Sequence, residues 1–178
     1  SLKLFTLSCA SFTFFFKLLT CAEIIIFNKD GSVYQTATSL IDKNNSQPKS
    51  AMQFARGLVD TVAEAETDGA VTILLRGDVT VTTKFENEGQ VLGDIVIDMN
   101  GYTVTANTHM LNAQVKICDS SVRDSSFTWK NGEIVVGNKG LWFVGAYGQS
   151  YVSNENDYKT MHYIFDNVKI SLTENNSA

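Results

Sequence analysis

A short pattern recurs along this chain: alternating apolar residues lead into an Asn, and a second alternating stretch leads away from it. The pattern is centred on Asn100, Asn131 and Asn167, which are separated by 31 and 36 residues. Loose repeats of about 20–50 residues are typical of chains in which one structural unit stacks on the next. Asn is also the residue other than Gly that best tolerates a left-handed bend. The repeat therefore predicts stacked strands that bend at Asn, and it indicates no particular reaction.

Strand periodicity dominates the chain after Gly69. In residues 71–75, 95–99 and 168–172, apolar side chains occupy every second position. One face of each strand is then apolar and the other polar. No helical periodicity follows, which excludes strand–helix–strand units as the repeat. We expect parallel strands whose inward-facing residues include Ile97, Val104, Ile117, Ile134, Val168 and Ile170.

The first 22 residues differ from the rest of the chain. Lys3 precedes 13 mostly apolar residues, and small residues follow before Glu23. This is the outline of a signal peptide, although Lys17 departs from it. The alternative is a buried apolar segment. Because the apolar run is shorter than the roughly 20 residues that span a membrane, we expect no stable transmembrane anchor.

Residues 23–47 are predicted to form a β-hairpin and a linker. Two β-rich runs, residues 24–27 and 32–36, flank a turn that contains Asp30 and Gly31. Asp-Gly between such runs is a strong hairpin signal, because Gly adopts positive φ without steric cost.

An amphipathic helix is predicted over residues 48–66. Met52, Leu58 and Val62 are among the apolar residues on one helical stripe. Pro48 suits the first turn of the helix, and Gly69 is the expected C-terminal cap.

Repeat-building stretches lie at residues 69–80, 95–104, 115–121, 131–134 and 165–170. In these residues the chain resembles the pectate-lyase-like family, and in particular the repetitive regions of large secreted bacterial surface proteins. The resemblance implies an all-β fold, a right-handed parallel β-helix (solenoid) with an N-terminal hairpin and one capping α-helix. The helix-capped β-helix is expected over residues 48–178, and the lack of a closing element after the last strand predicts a truncated fragment.

Charge and cysteine content exclude several classes of protein. The 178 residues carry a formal net charge of -5 and contain no basic stripe, so nucleic acid is not an expected partner. The three cysteines, Cys9, Cys21 and Cys118, form neither a disulfide framework nor a metal-binding spacing. We therefore predict no metal and no cofactor.

No motif places a catalytic residue. Enzymes of the family that cleave acidic polysaccharides use clustered Asp to bind calcium and a basic residue to remove a proton. Asp94 and Asp98 are too few for such a site, and we interpret Asp98 as a hydrogen-bond acceptor in the bend before Asn100. His109 and His162 lack partners at ligand spacing. The sequence thus favours a protein without catalytic activity.

An irregular aromatic segment is the candidate ligand surface. Tyr147, Tyr151 and Tyr158 lie among Gly, Ser and Asn residues, which suggests a loop that leaves the repeat. Exposed rings on such a loop would suit stacking against a sugar. The neighbouring Trp142 and Phe143 are instead expected to fill the core.

These observations favour a non-catalytic scaffold, secreted or attached to the cell surface, that is adhesive or contacts a polysaccharide or host glycan. Two alternatives remain open. The chain could belong to a polysaccharide lyase or glycoside hydrolase whose catalytic repeats lie beyond residue 178. It could also be a purely structural repeat whose only partner is the remainder of its own chain.

Overall fold

The structure is a computed structural model that describes residues 23–42, 47–59, 67–82, 85–87, 93–106, 111–113, 125–137 and 161–173. Strands predominate in these ranges and the protein is all-β, as predicted, with little helix. In chain order the elements are β1 (Ile24–Phe27), β2 (Val33–Ala37), α1 (Ala51–Gly57), β3 (Val71–Leu75), β4 (Val79–Val81), β5 (Phe85–Asn87), β6 (Ile95–Asp98), β7 (Thr103–Ala106), β8 (Leu111–Ala113), β9 (Ser125–Val136) and β10 (Met161–Leu172).

Parallel pairing joins the strands after α1, as the repeat predicts. A first ladder runs from β3 through β6 to the first halves of β9 and β10. A second ladder runs from β4 through β7 to the second halves of the same two strands. A short third ladder pairs β5 with β8. Because β9 and β10 belong to two ladders, each must bend in its middle.

The bends occur at the repeated asparagines. Asn100, Asn131 and Asn167 have φ angles of 51°, 57° and 53°. These are left-handed conformations, which Asn tolerates better than most residues because its short side chain can hydrogen-bond locally. The predicted role of the repeated Asn is therefore confirmed.

The core lies on the inner faces of the two main ladders. Its two largest fully buried side chains are Phe127 and Trp129 of β9. The remaining core residues with no exposed surface are mostly aliphatic. In the strands after α1 they are Val71, Ile73, Leu75, Ile95, Ile97, Met99, Val104, Ala106 and Ile134.

The residues predicted to lie inside are fully buried on the interior strands and only partly buried on the last one. Ile97, Val104 and Ile134 are fully buried, and Val168 packs partly against the core. Ile170 continues the inward-facing row of Ile134, but its side chain is 49% exposed, so the prediction that it is buried is wrong. It lies on β10, which has no strand beyond it among the described residues. Ile117 lies outside the described ranges.

The predicted hairpin is present, and it joins the same sheet. β1 pairs antiparallel with β2, and Gly31 in their turn has a φ angle of 82°. β1 also pairs antiparallel with β3, so that the hairpin extends the first ladder by two strands. This second pairing is not among the features predicted from the sequence.

The helix is shorter than predicted and begins later. Ser50 caps it, accepting a hydrogen bond from the Gln53 backbone N–H, while the Gln53 side chain accepts one from the Ser50 N–H. This capping box satisfies backbone donors that the first turn would leave free. Pro48 lies before the cap rather than in the first turn, and Leu58, not Gly69, is the C-terminal cap.

The buried stripe of α1 faces the hairpin and β3. Ala51, Met52 and Ala55 are fully buried, and the helix contacts β1, β2 and β3. Residues 60–66 of the predicted helix lie outside the described ranges. Among the residues that are described, the helical segment is too short to cross a membrane.

Candidate functional site

The predicted ligand surface falls outside the described ranges. Tyr147, Tyr151 and Tyr158 lie in the gap between β9 and β10, as do Trp142 and Phe143. Sugar binding by this segment stays a prediction. The stacked bends bring several polar groups of the described residues together, and we call this region the asparagine corner (Asn100, Asn131 and Asn167 with their neighbours).

Side-chain amides tie each bend of the asparagine corner to the preceding strand. Asn100 Nδ2 donates to the Leu75 carbonyl at 3.3 Å. Asn131 Nδ2 donates to Asp98 Oδ1 at 3.2 Å, and Asn167 Nδ2 donates to Asn131 Oδ1 at 3.3 Å. The amides therefore form a row in which every donor points toward the N-terminal end of the stack.

The backbone packs closely at this corner. The Gly101 N–H donates to the Asn131 carbonyl at 2.7 Å. A Cβ atom on Gly132 would lie 2.5 Å from both Met99 Cβ and the Tyr102 carbonyl oxygen, so only Gly fits there. An open groove of about 570 Å³ follows the corner and is lined by Gly101, Asn131, Gly132, Asn167, Val168 and Lys169.

Charges of opposite sign alternate on the first-ladder side of the bends. Lys130 Nζ lies 3.2 Å from Asp98 Oδ2, and Asp166 is the register partner of Lys130 on the next strand. The row is therefore acid, base, acid. Opposite charges on paired strands stabilise a sheet, whereas like charges directly opposite destabilise it.

A second pair of opposite charges lies on the other side of the bends. Lys169 Nζ lies 3.0 Å from Glu133 Oε1, and the Ser171 hydroxyl donates to the same oxygen. The hydrogen bond from Ser171, followed by that from Lys169, holds the pKa of Glu133 below its ordinary value. This carboxylate stays ionised and joins β9 to β10.

The two candidate calcium ligands have structural roles in the described residues. Asp98 accepts from the Asn100 N–H at 3.0 Å, which confirms its interpretation as an acceptor in the bend. Asp94 accepts from both the N–H and the hydroxyl of Ser126, at 2.7 and 2.8 Å. Both carboxylates thus join neighbouring strands. Within the described ranges, no three His, Cys, Asp or Glu residues lie close enough to hold a metal ion.

The tripeptide Arg76-Gly77-Asp78, which matches an integrin-binding motif, forms the bend between β3 and β4. Arg76 Nη1 lies 3.7 Å from Glu23 Oε2, and Asp78 Oδ1 accepts a hydrogen bond from the Thr103 N–H at 2.9 Å. Its two charged residues therefore have partners within the chain. His162 is exposed on β10, and His109 and Cys118 lie outside the described ranges.

Sequence reasoning missed the first half of β9. Phe127 and Trp129 alternate immediately before Asn131, as Ile95 and Ile97 do before Asn100. That alternation was a usable signal for a strand on this side of the bend. The alternating charges beside the bends were also missed, because single residues far apart in sequence reveal pairing only when the register is known.

Comparison of the chain with protein-family models, curated proteins and solved structures finds no match.

Proposed function

We propose that the protein is a non-catalytic scaffold, secreted or displayed on the cell surface, built as a right-handed parallel β-helix. In this proposal each coil is one strand–bend–strand unit, and the three ladders are the faces of the column. The in-register parallel pairing of β3 with β6, and of β9 with β10, supports it. Stacked coils of this kind bury a continuous core and present long, rigid outer faces.

The proposal rests on one observation, that the carboxylates bind neighbouring strands of the protein itself. Asp94, Asp98 and Glu133 each accept a hydrogen bond from a neighbouring coil. A carboxylate that binds catalytic calcium or transfers a proton must instead face its ligand or substrate. The polar groups of the asparagine corner therefore serve to hold the coils together.

The scaffold is proposed to contact glycans through the segment that includes Tyr147, Tyr151 and Tyr158. Loops on a rigid framework are frequent sites of binding, and aromatic rings offer sugars a flat apolar surface. The described coils would fix the two ends of this segment, since β9 ends and β10 begins on either side of it.

A polysaccharide-cleavage assay tests the absence of catalysis. The complete chain is incubated with polygalacturonate and related acidic glycans in the presence of calcium, and unsaturated and reducing sugar ends are measured. We expect no release above background from the wild type. Asp98→Asn should lower the free energy of unfolding by about 1–2 kcal/mol, because it weakens the hydrogen bonds and the ion pair of a partly buried carboxylate. Sugar release that Asp98→Asn abolishes would overturn the proposal.

A glycan array tests the binding surface separately. We expect any glycan that binds the wild type to bind Tyr147→Ala and Tyr151→Ala more weakly. His162→Ala, an exposed position on β10, is the control and should leave binding unchanged. Binding that neither tyrosine substitution alters would remove this segment as the site.

A further inference from the structure

Within the described ranges, the outer edge of β10 is the open end of both main ladders. Among the described residues β10 pairs only with β9, through the register from Met161 opposite Ser125 to Leu172 opposite Val136. Its other edge presents backbone N–H and C=O groups over 12 residues. Such an edge pairs readily with another strand.

The inner face of β10 is apolar and exposed. On the row Val104, Ile134 and Ile170, the exposed fractions are 0%, 0% and 49%. On the row Ala106, Val136 and Leu172 they are 0%, 4% and 68%. These side chains continue the core rows, so an occupant that covers them must supply apolar residues in the same register.

The amide row has a free acceptor at this end. Asn131 Oδ1 accepts from Asn167 Nδ2, and Asp98 Oδ1 accepts from Asn131 Nδ2. No described residue donates to the side chain of Asn167, which is exposed. An Asn at the bend of an incoming strand would supply the missing donor by the same geometry.

The charges beside the bend define the occupant further. The first row ends in Asp166, which follows the pair of Asp98 with Lys130. The second row ends in Lys169, which follows Glu133. Continuing each alternation requires a cation just before the incoming Asn and an acid two residues after it.

We propose that the open edge of β10 docks a polypeptide coil in parallel register, with the pattern apolar-x-apolar-cation-Asn-small-acid-apolar-x-apolar. This inference rests on the proposed function, since it assumes that the described strands are coils of one column. The mode is β-strand addition, in which main-chain hydrogen bonds give affinity and alternate side chains give specificity.

A second copy of this chain fits the edge less well. In a head-to-tail arrangement it would offer β2 to the first half of β10 and β4 to the second half. In the first ladder β2 lies two strands beyond β3, whereas in the second ladder β4 is itself the outermost described strand. The two ladders therefore end at different heights, and β10 could not pair with β2 and β4 at once. In a tail-to-tail arrangement with inner faces matched, Asn167 would face Asp166 of the other copy. A carboxylate accepts hydrogen bonds, so Asp166 would not supply the donor that the side chain of Asn167 lacks among the described residues.

Two synthetic peptides of equal length test the proposal. The first has the sequence of residues 125–136, and in parallel register it places Lys over Asp166 and Glu over Lys169. The second has the sequence of residues 161–172 and places Asp over Asp166 and Lys over Lys169. We expect the complete chain to bind the first about tenfold more tightly at low salt, because opposite charges replace like charges at two positions. The difference should shrink as salt is added.

Matched protein variants locate the binding. Ile170→Lys places a charge on the exposed inner face of β10, and we expect it to weaken binding of the first peptide at least about tenfold. Ile164→Lys makes the same change on the outer face of the same strand, at 42% exposure, and should leave binding unchanged. Leu172→Lys is a second inner-face variant, and circular dichroism verifies that each variant is folded.

A spin label on the N-terminus of the first peptide reports the direction of pairing. Parallel pairing broadens NMR signals near Met161, whereas broadening near Leu172 would overturn the proposal. So would failure of the first peptide to bind, equal binding of both peptides, or equal binding to Ile170→Lys and Ile164→Lys. Self-association that only the inner-face variants abolish would identify a second copy as the occupant and also overturn it. Sugar release by the wild type would contradict the proposed function without altering these peptide results.

Discussion

The two ends of the strand stack differ in how they are closed. At the N-terminal end, β1 pairs with β3, and Ile24 and Ile26 of β1 are fully buried. At the other end, β10 leaves Ile170 and Leu172 about half exposed or more. Both ends carry alternating apolar residues. Alternation therefore determines which face of a strand is apolar, while the neighbouring element determines whether that face is buried.

The cover at the N-terminal end combines two kinds of element. The hairpin satisfies the backbone groups along the edge of β3, and α1 packs its buried stripe against the same strands. An unprotected edge favours association with other chains, and covering it with a helix is one way in which proteins avoid this. The hairpin moves the edge of the sheet outward to β2, whose residues 33–36 are exposed.

Ile134 and Ile170 give the largest expected contrast. They are register partners on β9 and β10, the first fully buried and the second 49% exposed. Ile134→Ala should lower the free energy of unfolding by about 3 kcal/mol, because it removes buried methylenes and leaves a cavity. Ile170→Ala should cost about 1 kcal/mol or less, since water already contacts much of the side chain. Urea unfolding of the complete chain measures both.

Equal losses of stability for Ile134→Ala and Ile170→Ala would contradict the difference between the two ends of the stack, because they would mean that Ile170 is covered in solution. Ile164→Ala serves as the control, since this residue lies on the outer face of β10 and should change the stability little.

Much of the local structure could be predicted from the sequence. The hairpin follows from the Asp-Gly turn, and the three bends follow from Asn100, Asn131 and Asn167 at the ends of alternating stretches. The role of Asp98 could also be predicted, because an Asp two residues before a bend commonly accepts from its backbone. In each case the signal lies within a few residues of its effect.

Features that depend on distant neighbours could not be predicted. The pairing of β1 with β3 joins residues such as Ile24 and Leu75, and nothing in either short stretch specifies the other. The exposure of Ile170 depends on the absence of a following strand in the described stack, whereas its own alternation is the same as that of Ile134. The sequence therefore predicts the periodicity of each strand but not which strands pair.

The hydrogen bonds of Asn131 and Asn167 differ between the interior of the stack and its open end. The side chain of Asn131 both donates and accepts, whereas that of Asn167 only donates among the described residues. Asn131→Ala should cost about 2 kcal/mol, from left-handed strain and lost hydrogen bonds. Asn131→Gly keeps the bend and should cost about 1 kcal/mol. Asn167→Gly should cost less than Asn131→Gly in the same unfolding measurement, and the reverse order would contradict the direction of the amide row.

Ser50 tests the cover at the N-terminal end. Its side chain is fully buried and caps α1 through the Gln53 N–H. Ser50→Ala should lower the free energy of unfolding by about 1 kcal/mol, the usual effect of removing an N-terminal cap. Amide hydrogen exchange should increase in α1 and leave β9 unchanged. Increased exchange throughout β9 would show that the helix and the distant coils unfold as one unit.

Glu133 gives the smallest effect, and it tests the polar attachment of the open end. Hydrogen bonds from Ser171 and Lys169 lower its pKa from the ordinary value of 4.5. Because the folded-state pKa is depressed, the ionised carboxylate contributes stability above pH 4.5, and that contribution is lost as the pH falls through the folded-state value. The wild type should therefore lose more stability than Glu133→Gln when the pH is lowered from neutral to below the folded-state pKa of Glu133. Comparing the two proteins cancels the titration of the other acids, and hydrogen exchange in β10 shows whether the loss is local. If the gap between the two proteins does not change with pH, the carboxylate does not hold β10 to β9, and the open end is retained by main-chain pairing and apolar contacts alone.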